Sequence, residues 1–216
     1  EASRKLRWGA QRTMRAAQGL YDNGHITYMR TDSTTLSKSA LHGARQAATE
    51  IYGAQLVSET PRTYDRKVKN AQEAHEAIRP AGQRIVAIDE IQRRMGGDEA
   101  KLYELIWKRT LACQMEHALI NQVSVSLSAG AGNLFRATGS TVAEPGFMRV
   151  YLEGRDDATA GDDDEEKTLP PLETGDLVDL AAIRAEQHFT EPPPRYTEAS
   201  LVKALEEYGI GRPSTY

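Results

Sequence analysis

The phenol of Tyr28 and the guanidinium of Arg30 lie two residues apart in the segment Ile26-Thr27-Tyr28-Met29-Arg30-Thr31-Asp32-Ser33. A phenol oxygen can act as a covalent nucleophile. Unperturbed, it titrates near pH ~10, so its proton must be taken or its phenolate stabilised. Attack on a phosphate adds a second demand, because negative charge builds on the phosphoryl oxygens. Residues i and i+2 of an extended strand face the same way, and an arginine placed there can hold the phosphate with a bidentate fork. Tyr28 and Arg30 thus have the types and spacing for nucleophilic phosphoryl chemistry. The same pair on a strand face is more often simply packed or solvated, so spacing alone does not decide between the two.

The elements that must position the pair can be read from periodicity. Residues 10 to 22 predict a helix with Ala10, Met14, Ala17 and Tyr21 on one face and Gly24 as its stop. A strand over 26 to 29 follows. Ser33, Thr35 and Ser37 offer caps for a second helix, whose apolar stripe of Ala40, Leu41, Ala44, Ala48, Ile51 and Tyr52 ends at Gly53. Residues 70 to 79 predict a short helix ended by Pro80, and Asp98 is placed to cap a longer one running through Cys113. From 121 the period changes to two: Val123, Val125 and Leu127 alternate with Gln122, Ser124 and Ser126, predicting a half-buried strand. Weaker strand signals recur at 133 to 138, 147 to 152 and 177 to 184. After Pro192-Pro193-Pro194, Thr197 caps a helix that Gly209 stops, and Pro213 is placed to open another. The fold class expected is α+β. We expect a mainly helical unit over 1–115, a β-rich segment with antiparallel hairpins over 116–191, and the start of a helical unit over 192–216.

Composition narrows the partners. No apolar run approaches the ~18 residues of a membrane helix, and no basic start leads into an apolar signal segment. The lone Cys113 excludes a disulfide within the chain, and its apolar helical setting suits a buried structural thiol rather than a nucleophile. Residues 1–80 hold 13 Lys and Arg against 8 Asp and Glu, whereas residues 81–216 hold 14 against 23. The basic half contains Tyr28, which suits an anionic partner. Much of the acidity lies in Asp156-Asp157 and in Asp162-Asp163-Asp164-Glu165-Glu166. Without a shaping turn and packed support, that run reads as a solvated loop, and no metal is placed there. The chain starts without Met and stops at Tyr216 just after Pro213, so a piece of a longer protein is expected.

Three stretches carry a resemblance to a known family. They are ITYMRTDS around Tyr28, the run Asn70-Ala71-Gln72-Glu73-Ala74-His75-Glu76-Ala77-Ile78-Arg79-Pro80, and the stretch from Pro193 to Gly209-Ile210-Gly211-Arg212-Pro213-Ser214-Thr215-Tyr216. Together and in this order they resemble the type IA DNA topoisomerases, closely the bacterial ones. The resemblance implies that Tyr28 attacks a backbone phosphate of single-stranded DNA, leaving a 5′-phosphotyrosyl link that is later resealed without ATP, so that negative supercoils relax. It implies that Arg30 holds the scissile phosphate. It extends DNA contact to Thr31, Asp32, His75, Arg79, Arg195, Arg212, Ser214 and Thr215. Without it, His75 would read as a helix-surface histidine, and Arg79 can instead pair with Glu76 or Glu73 across a turn. The helix ending at Gly209 and the one opening at Pro213 have the layout of a helix-turn-helix, with a plain helical hairpin as the alternative.

The resemblance also says what this chain lacks. The family's acidic Toprim domain, which binds Mg²⁺, would precede it, so the ligands for that ion are expected outside this chain and no metal within it. The missing Toprim domain is then a partner, together with single-stranded DNA. The expected setting is the cytoplasm, on the nucleoid, and the chain alone is expected to be inactive. Tyrosine recombinases and type IB topoisomerases also combine His, Arg and a nucleophilic Tyr. In those enzymes, however, the tyrosine follows the His and Arg near the C-terminal end and bonds to a 3′ phosphate, whereas Tyr28 precedes His75 and Arg79.

Overall fold

In the computed structural model the described residues are 1–64, 76–152, 169–185, 187–212 and 215. His75, Ser214, the acidic run at 156–166 and the helix start at Pro213 lie outside them. The helices are α1 (Ala10–Asp22), α2 (Lys38–Tyr52), α3 (Ile88–Arg94), α4 (Gly97–Ala112) and α5 (Glu198–Glu207). The strands β1 (Leu119–Ala129) and β2 (Asn133–Glu144) form an antiparallel hairpin. The α+β class holds in this form, helices with one two-stranded hairpin.

α1 and α2 form where the sequence places them, but the faces differ in part. The buried positions of α1 are Ala16, Ala17 and Leu20, while Tyr21 is 40 % exposed. α2 is capped by Ser37, whose hydroxyl accepts the Ala40 amide at 3.3 Å, and it buries Ala40, Gly43, Ala44 and Ala48. Small side chains on that face let other backbone come close. At Gly43 an added Cβ would stand 2.2 Å from the carbonyl oxygen of Gln83. Gly53 ends the helix at φ 92°, a left-handed value that side-chain-bearing residues rarely adopt.

The core gathers Trp8, Leu20, Ile26, Met29, Ile91, Leu102, Tyr103, Trp107, Leu111 and Met115. α4 supplies the largest share, running past α1, α2 and α3. The buried Tyr103 hydroxyl donates to the Val86 carbonyl at 2.8 Å, so its polar end is satisfied. Asp98 does not cap α4: Gly96 occupies that position, and Asp98 receives both Nε and Nη2 of Arg12 at 2.7 and 2.8 Å, tying α4 to α1.

Several expected elements do not form. The strand predicted at 26–29 reduces to a single antiparallel bridge, Ile26 with Pro80. Residues 76–79 of the predicted 70–79 helix are not helical. They run opposite 25–27, where backbone bonds to that segment compete with helix formation. Gly146–Arg149 is a 3₁₀ turn rather than the start of a strand. Residues 177–184 have no strand partner among the described residues and remain exposed, with Leu177 fully so. The β1–β2 hairpin is longer than predicted; of the apolar positions expected to face inward, Val125 and Leu127 are half-buried and Val123 is exposed, while Gln122, Ser124 and Ser126 are exposed as expected. Alternation of apolar and polar residues marks the right element there, and the burial follows it over 124–127 but not at Val123.

Candidate active site

Tyr28 is held by what its neighbours do. On either side of it, Ile26 is 2 % and Met29 7 % exposed, so both anchor in the core while the Tyr28 ring is left 40 % exposed. The backbone is clamped to the 77–81 segment. The Thr27 amide donates to the Arg79 carbonyl at 2.9 Å, and the Ala81 amide to the His25 carbonyl at 2.9 Å. The Thr27 hydroxyl donates to the Ala77 carbonyl at 2.7 Å and accepts the Arg79 amide at 2.9 Å. Tyr21, at the end of α1, meets the Tyr28 ring edge to face, with centroids 5.2 Å apart. These contacts orient the phenol and leave part of it open to solvent.

Arg30 is exposed and makes no hydrogen bond or ion pair with the described residues. Its guanidinium therefore remains available to an anion. The extended geometry that suggested a shared face with Tyr28 ends at Met29, where the chain bends, and Tyr28 and Arg30 are each exposed. Beyond Arg30, Thr31 accepts the Ser33 amide at 3.0 Å and Ser33 accepts the Thr35 amide at 3.2 Å. These local turns lead into the Ser37 cap. Thr31 and Asp32 are half-buried in that turn.

Arg79 occupies a different setting from the one the resemblance implies. It is buried, and its guanidinium is committed to protein acceptors. Nε and Nη2 grip Glu76 at 2.8 and 2.9 Å, and Nη1 donates to the Pro80 and Gly82 carbonyls at 2.7 and 3.0 Å. Of the two readings of Arg79, the pair with Glu76 is the one that forms. Glu76 also accepts the Ser37 amide at 2.8 Å, so one carboxylate joins the Arg79 turn to the start of α2. Partial burial pushes its carboxyl up, but the Arg79 hydrogen bond and the Ser37 amide more than offset this and hold it below the usual carboxylate range. Thr27 and Glu76 carry this clamp; the Glu76–Arg79 pair is legible across one turn of sequence, whereas the part played by Thr27 is not. No local pattern pairs position 27 with positions 77–79; the contact exists only once the chain folds back.

Arg195 and Arg212 are exposed on the C-terminal stretch, and no hydrogen bond or ion pair joins them to the Tyr28 segment. Thr215 accepts the Arg212 amide at 2.8 Å and donates back to the Arg212 carbonyl, closing a turn. α5 carries a reciprocal cap, in which Ser200 N–H donates to the Thr197 hydroxyl at 3.1 Å and Thr197 N–H to the Ser200 hydroxyl at 2.8 Å. Glu198 reaches the start of α1, accepting the Ala10 amide at 2.7 Å. Among the described residues no group of three or more His, Cys, Asp or Glu is placed to hold a metal ion. No helix among them is long and apolar enough to cross a membrane.

With this geometry, the full-length match is decisive: residues 1–216 match the DNA topoisomerase family. The chain belongs to the bacterial type IA DNA topoisomerases. It is 54 % identical over 220 residues to DNA topoisomerase 1 of Mycobacterium leprae, covering 100 % of this chain and 23 % of that protein. To DNA topoisomerase 1 of Xylella fastidiosa it is 52 % identical over 225 residues, or 28 % of that protein. Among solved structures it resembles full-length topoisomerase I from Thermotoga maritima with a TM-score of 0.81 and 36 % identity, covering 100 % of this chain and 34 % of that one. The chain thus spans about a quarter of the length of the curated topoisomerases it matches.

Proposed function

We propose that this chain supplies the nucleophile of a type IA topoisomerase and that Tyr28 is that nucleophile. The reading rests on one observation: Tyr28 is presented to solvent from a clamped segment, with Arg30, two residues on, exposed and unpaired among the described residues. In the reaction, the Tyr28 oxygen attacks a backbone phosphorus of single-stranded DNA. The new O–P bond replaces the P–O3′ bond, the phenol gives up its proton, and the departing 3′ oxygen gains one. The 5′ phosphate remains on Tyr28 until the 3′ hydroxyl reverses the step after strand passage, which relaxes negative supercoils. Because the link preserves the phosphodiester energy, resealing needs no ATP. Arg30 holds the nonbridging oxygens and offsets the charge that develops on them.

Residues 1–115 are then the nucleophile-bearing unit, 116–191 contribute to a β-rich arch, and 192–216 begin a DNA-facing unit with Arg195, Arg212, Ser214 and Thr215 toward phosphates. Thr31, Asp32 and His75 belong with the DNA-contacting set near Tyr28. Arg79 instead acts through Glu76 and Thr27 as a positioning residue. The Mg²⁺ requirement, the Toprim partner and the cytoplasmic, nucleoid-bound setting belong to the whole enzyme.

The test is covalent trapping on end-labelled single-stranded DNA with the intact parent enzyme. Wild type should yield an adduct on a 5′ phosphate, and Tyr28→Phe should lose the adduct while binding DNA within about threefold of wild type. An adduct on a 3′ phosphate, or one that survives in Tyr28→Phe, overturns the reading.

A further inference from the structure

A cavity of about 380 Å³ lies beside the Tyr28 segment but does not include Tyr28 or Arg30 in its walls. Ser33 and Thr34 form one side, Ala77 and Ile78 another, and the end of α4 a third. Three aromatic rings, Tyr64, Phe147 and Tyr151, line it with two guanidinium groups, Arg62 and Arg109. The remaining walls are largely aliphatic, including Leu36 and Met115. A volume of this size suits one small ligand rather than a length of polymer.

The cations make the chemistry specific. Arg62 bonds Glu116 at 3.1 Å through Nη2 and meets His117 through Nη1, but its Nε is buried with no hydrogen-bond partner. A buried N–H left unpaired is unfavourable, so an acceptor brought to it is favoured. Arg109 lies 5.0 Å from the centre of the Tyr151 ring, so the second cation stands against an aromatic face. Planar rings with guanidinium groups are the pairing that takes up a base and its phosphate together.

We propose that this cavity binds one nucleotide unit, its base against the aromatic walls and its phosphate toward Arg62 and Arg109. Occupancy is coupled to the nucleophile segment through two short paths. Ala77 lines the cavity, accepts the Thr27 hydroxyl and donates its amide to the Thr35 carbonyl at 2.9 Å. Thr34, also in the wall, donates its hydroxyl to the Tyr64 carbonyl. A bound nucleotide therefore stiffens the residues on both sides of Tyr28. A free mononucleotide and a nucleotide of a bound strand share this chemistry, and the probes below separate them. The inference does not depend on Tyr28 being the nucleophile.

Cys113 gives a direct readout, because its thiol lines the cavity and donates to the Thr110 carbonyl. In the intact enzyme, labelling of Cys113 by a small thiol reagent is followed by peptide mass spectrometry, with thymidine 5′-monophosphate, thymidine, inorganic phosphate or an oligothymidylate added. The expected result is at least fivefold slower labelling with the monophosphate or with the oligothymidylate, and less than twofold with thymidine or phosphate alone. Protection by the oligothymidylate only assigns the cavity to a nucleotide of the strand; protection by both admits the free nucleotide as well. Arg62→Ala and Arg109→Ala, on separate walls, should each abolish protection, while Tyr28→Phe should retain it. Unchanged labelling with both nucleotide probes overturns the proposal, as does protection that survives in both arginine variants. Each variant is first matched to wild type by its melting temperature, and if one wall's variant fails to fold the other decides.

Discussion

At the residue scale the division of labour between two arginines is the main result. Arg30 and Arg79 are the same side chain within reach of one segment, yet one is exposed without a partner among the described residues and the other is buried with its donors engaged. Their loss should therefore act on different observables. Arg30→Ala should leave the folded chain intact and slow DNA cleavage by the intact enzyme by about 10²–10³, the range for removing one donor to developing oxyanion charge. Single-turnover cleavage rates beside a thermal melt check this, and a rate within threefold of wild type would count against Arg30 as the phosphate holder. For the buried pair the expected loss is in stability. Glu76→Gln keeps the shape but weakens two charge-assisted bonds, and Glu76 is about a quarter exposed, so a loss of about 1–2 kcal/mol is expected near pH 7. The pH dependence has a definite sign. The folded Glu76 carboxyl lies below its ordinary value, so its contribution is fully present above that value, near 4.3, and is lost as pH falls through the lower folded one. Urea midpoints of wild type and Glu76→Gln should thus be separated at pH 7 and converge in the acid range. A gap that stays constant with pH would mean that the carboxylate's charge plays no part.

At the scale of elements, α2 illustrates how little room the packing leaves. Alanine is a better helix former than glycine by up to ~1 kcal/mol, which taken alone would make Gly43→Ala stabilising. The added Cβ would stand 2.2 Å from the Gln83 carbonyl oxygen, however, and backbone there cannot swing aside as a side chain would. The clash should win, giving a net destabilisation of about 1–3 kcal/mol by urea denaturation; a neutral or raised midpoint would show that the 83–85 segment yields freely. Much of this scale was legible beforehand. The spacing of Ala40, Ala44 and Ala48, the Ser37 cap and the Gly53 stop define α2, and Thr197 with Gly209 bound α5 as expected. These are short-range signals, each contained within one turn of chain. What could not be read depends on distant partners. The strand signal at 177–184 has no ladder to join among the described residues, and 76–79 is drawn out of a helix by 25–27. Asp98 looked like a cap because its type and position fit, but Arg12, 86 residues away in sequence, takes both of its oxygens. The candidate site divides the same way: Tyr28, Arg30 and the Glu76–Arg79 pair were visible in their local strings, whereas the contacts of Thr27 with 77–79 and of Glu76 with Ser37 were not.

At the scale of the whole molecule, what the chain does with its apolar surface bears on whether it can work alone. Among the described residues one core runs from Ala2 to Tyr151 and includes Ile26 and Met29 on either side of Tyr28, so the immediate surroundings of the proposed nucleophile are built within this chain. The hairpin is different. Leu119, Ile120, Val123, Leu134 and Phe135 are all more than half exposed, and β1 and β2 pair only with each other among the described residues. Further on, Leu177, Leu180, Ile183 and Phe189 are exposed as well. Apolar side chains left open over such a stretch mark a surface made to be covered, and the chain is only about a quarter of its curated relatives' length. The chemistry has the same shape: the proposed nucleophile Tyr28 and the proposed phosphate holder Arg30 lie in this chain, and no group of three or more potential metal-ligating side chains stands among the described residues. This chain alone should therefore give no detectable relaxation of negatively supercoiled plasmid with Mg²⁺ present, under conditions where the intact enzyme completes the reaction. It should nevertheless melt cooperatively, with a midpoint that EDTA leaves unchanged within about 1 °C, below the ~2–4 °C that a 1 kcal/mol effect gives in a chain of 150–250 residues. Robust Mg²⁺-dependent relaxation by the isolated chain would place the metal site within it and overturn the division of the enzyme argued from its surface and its side chains.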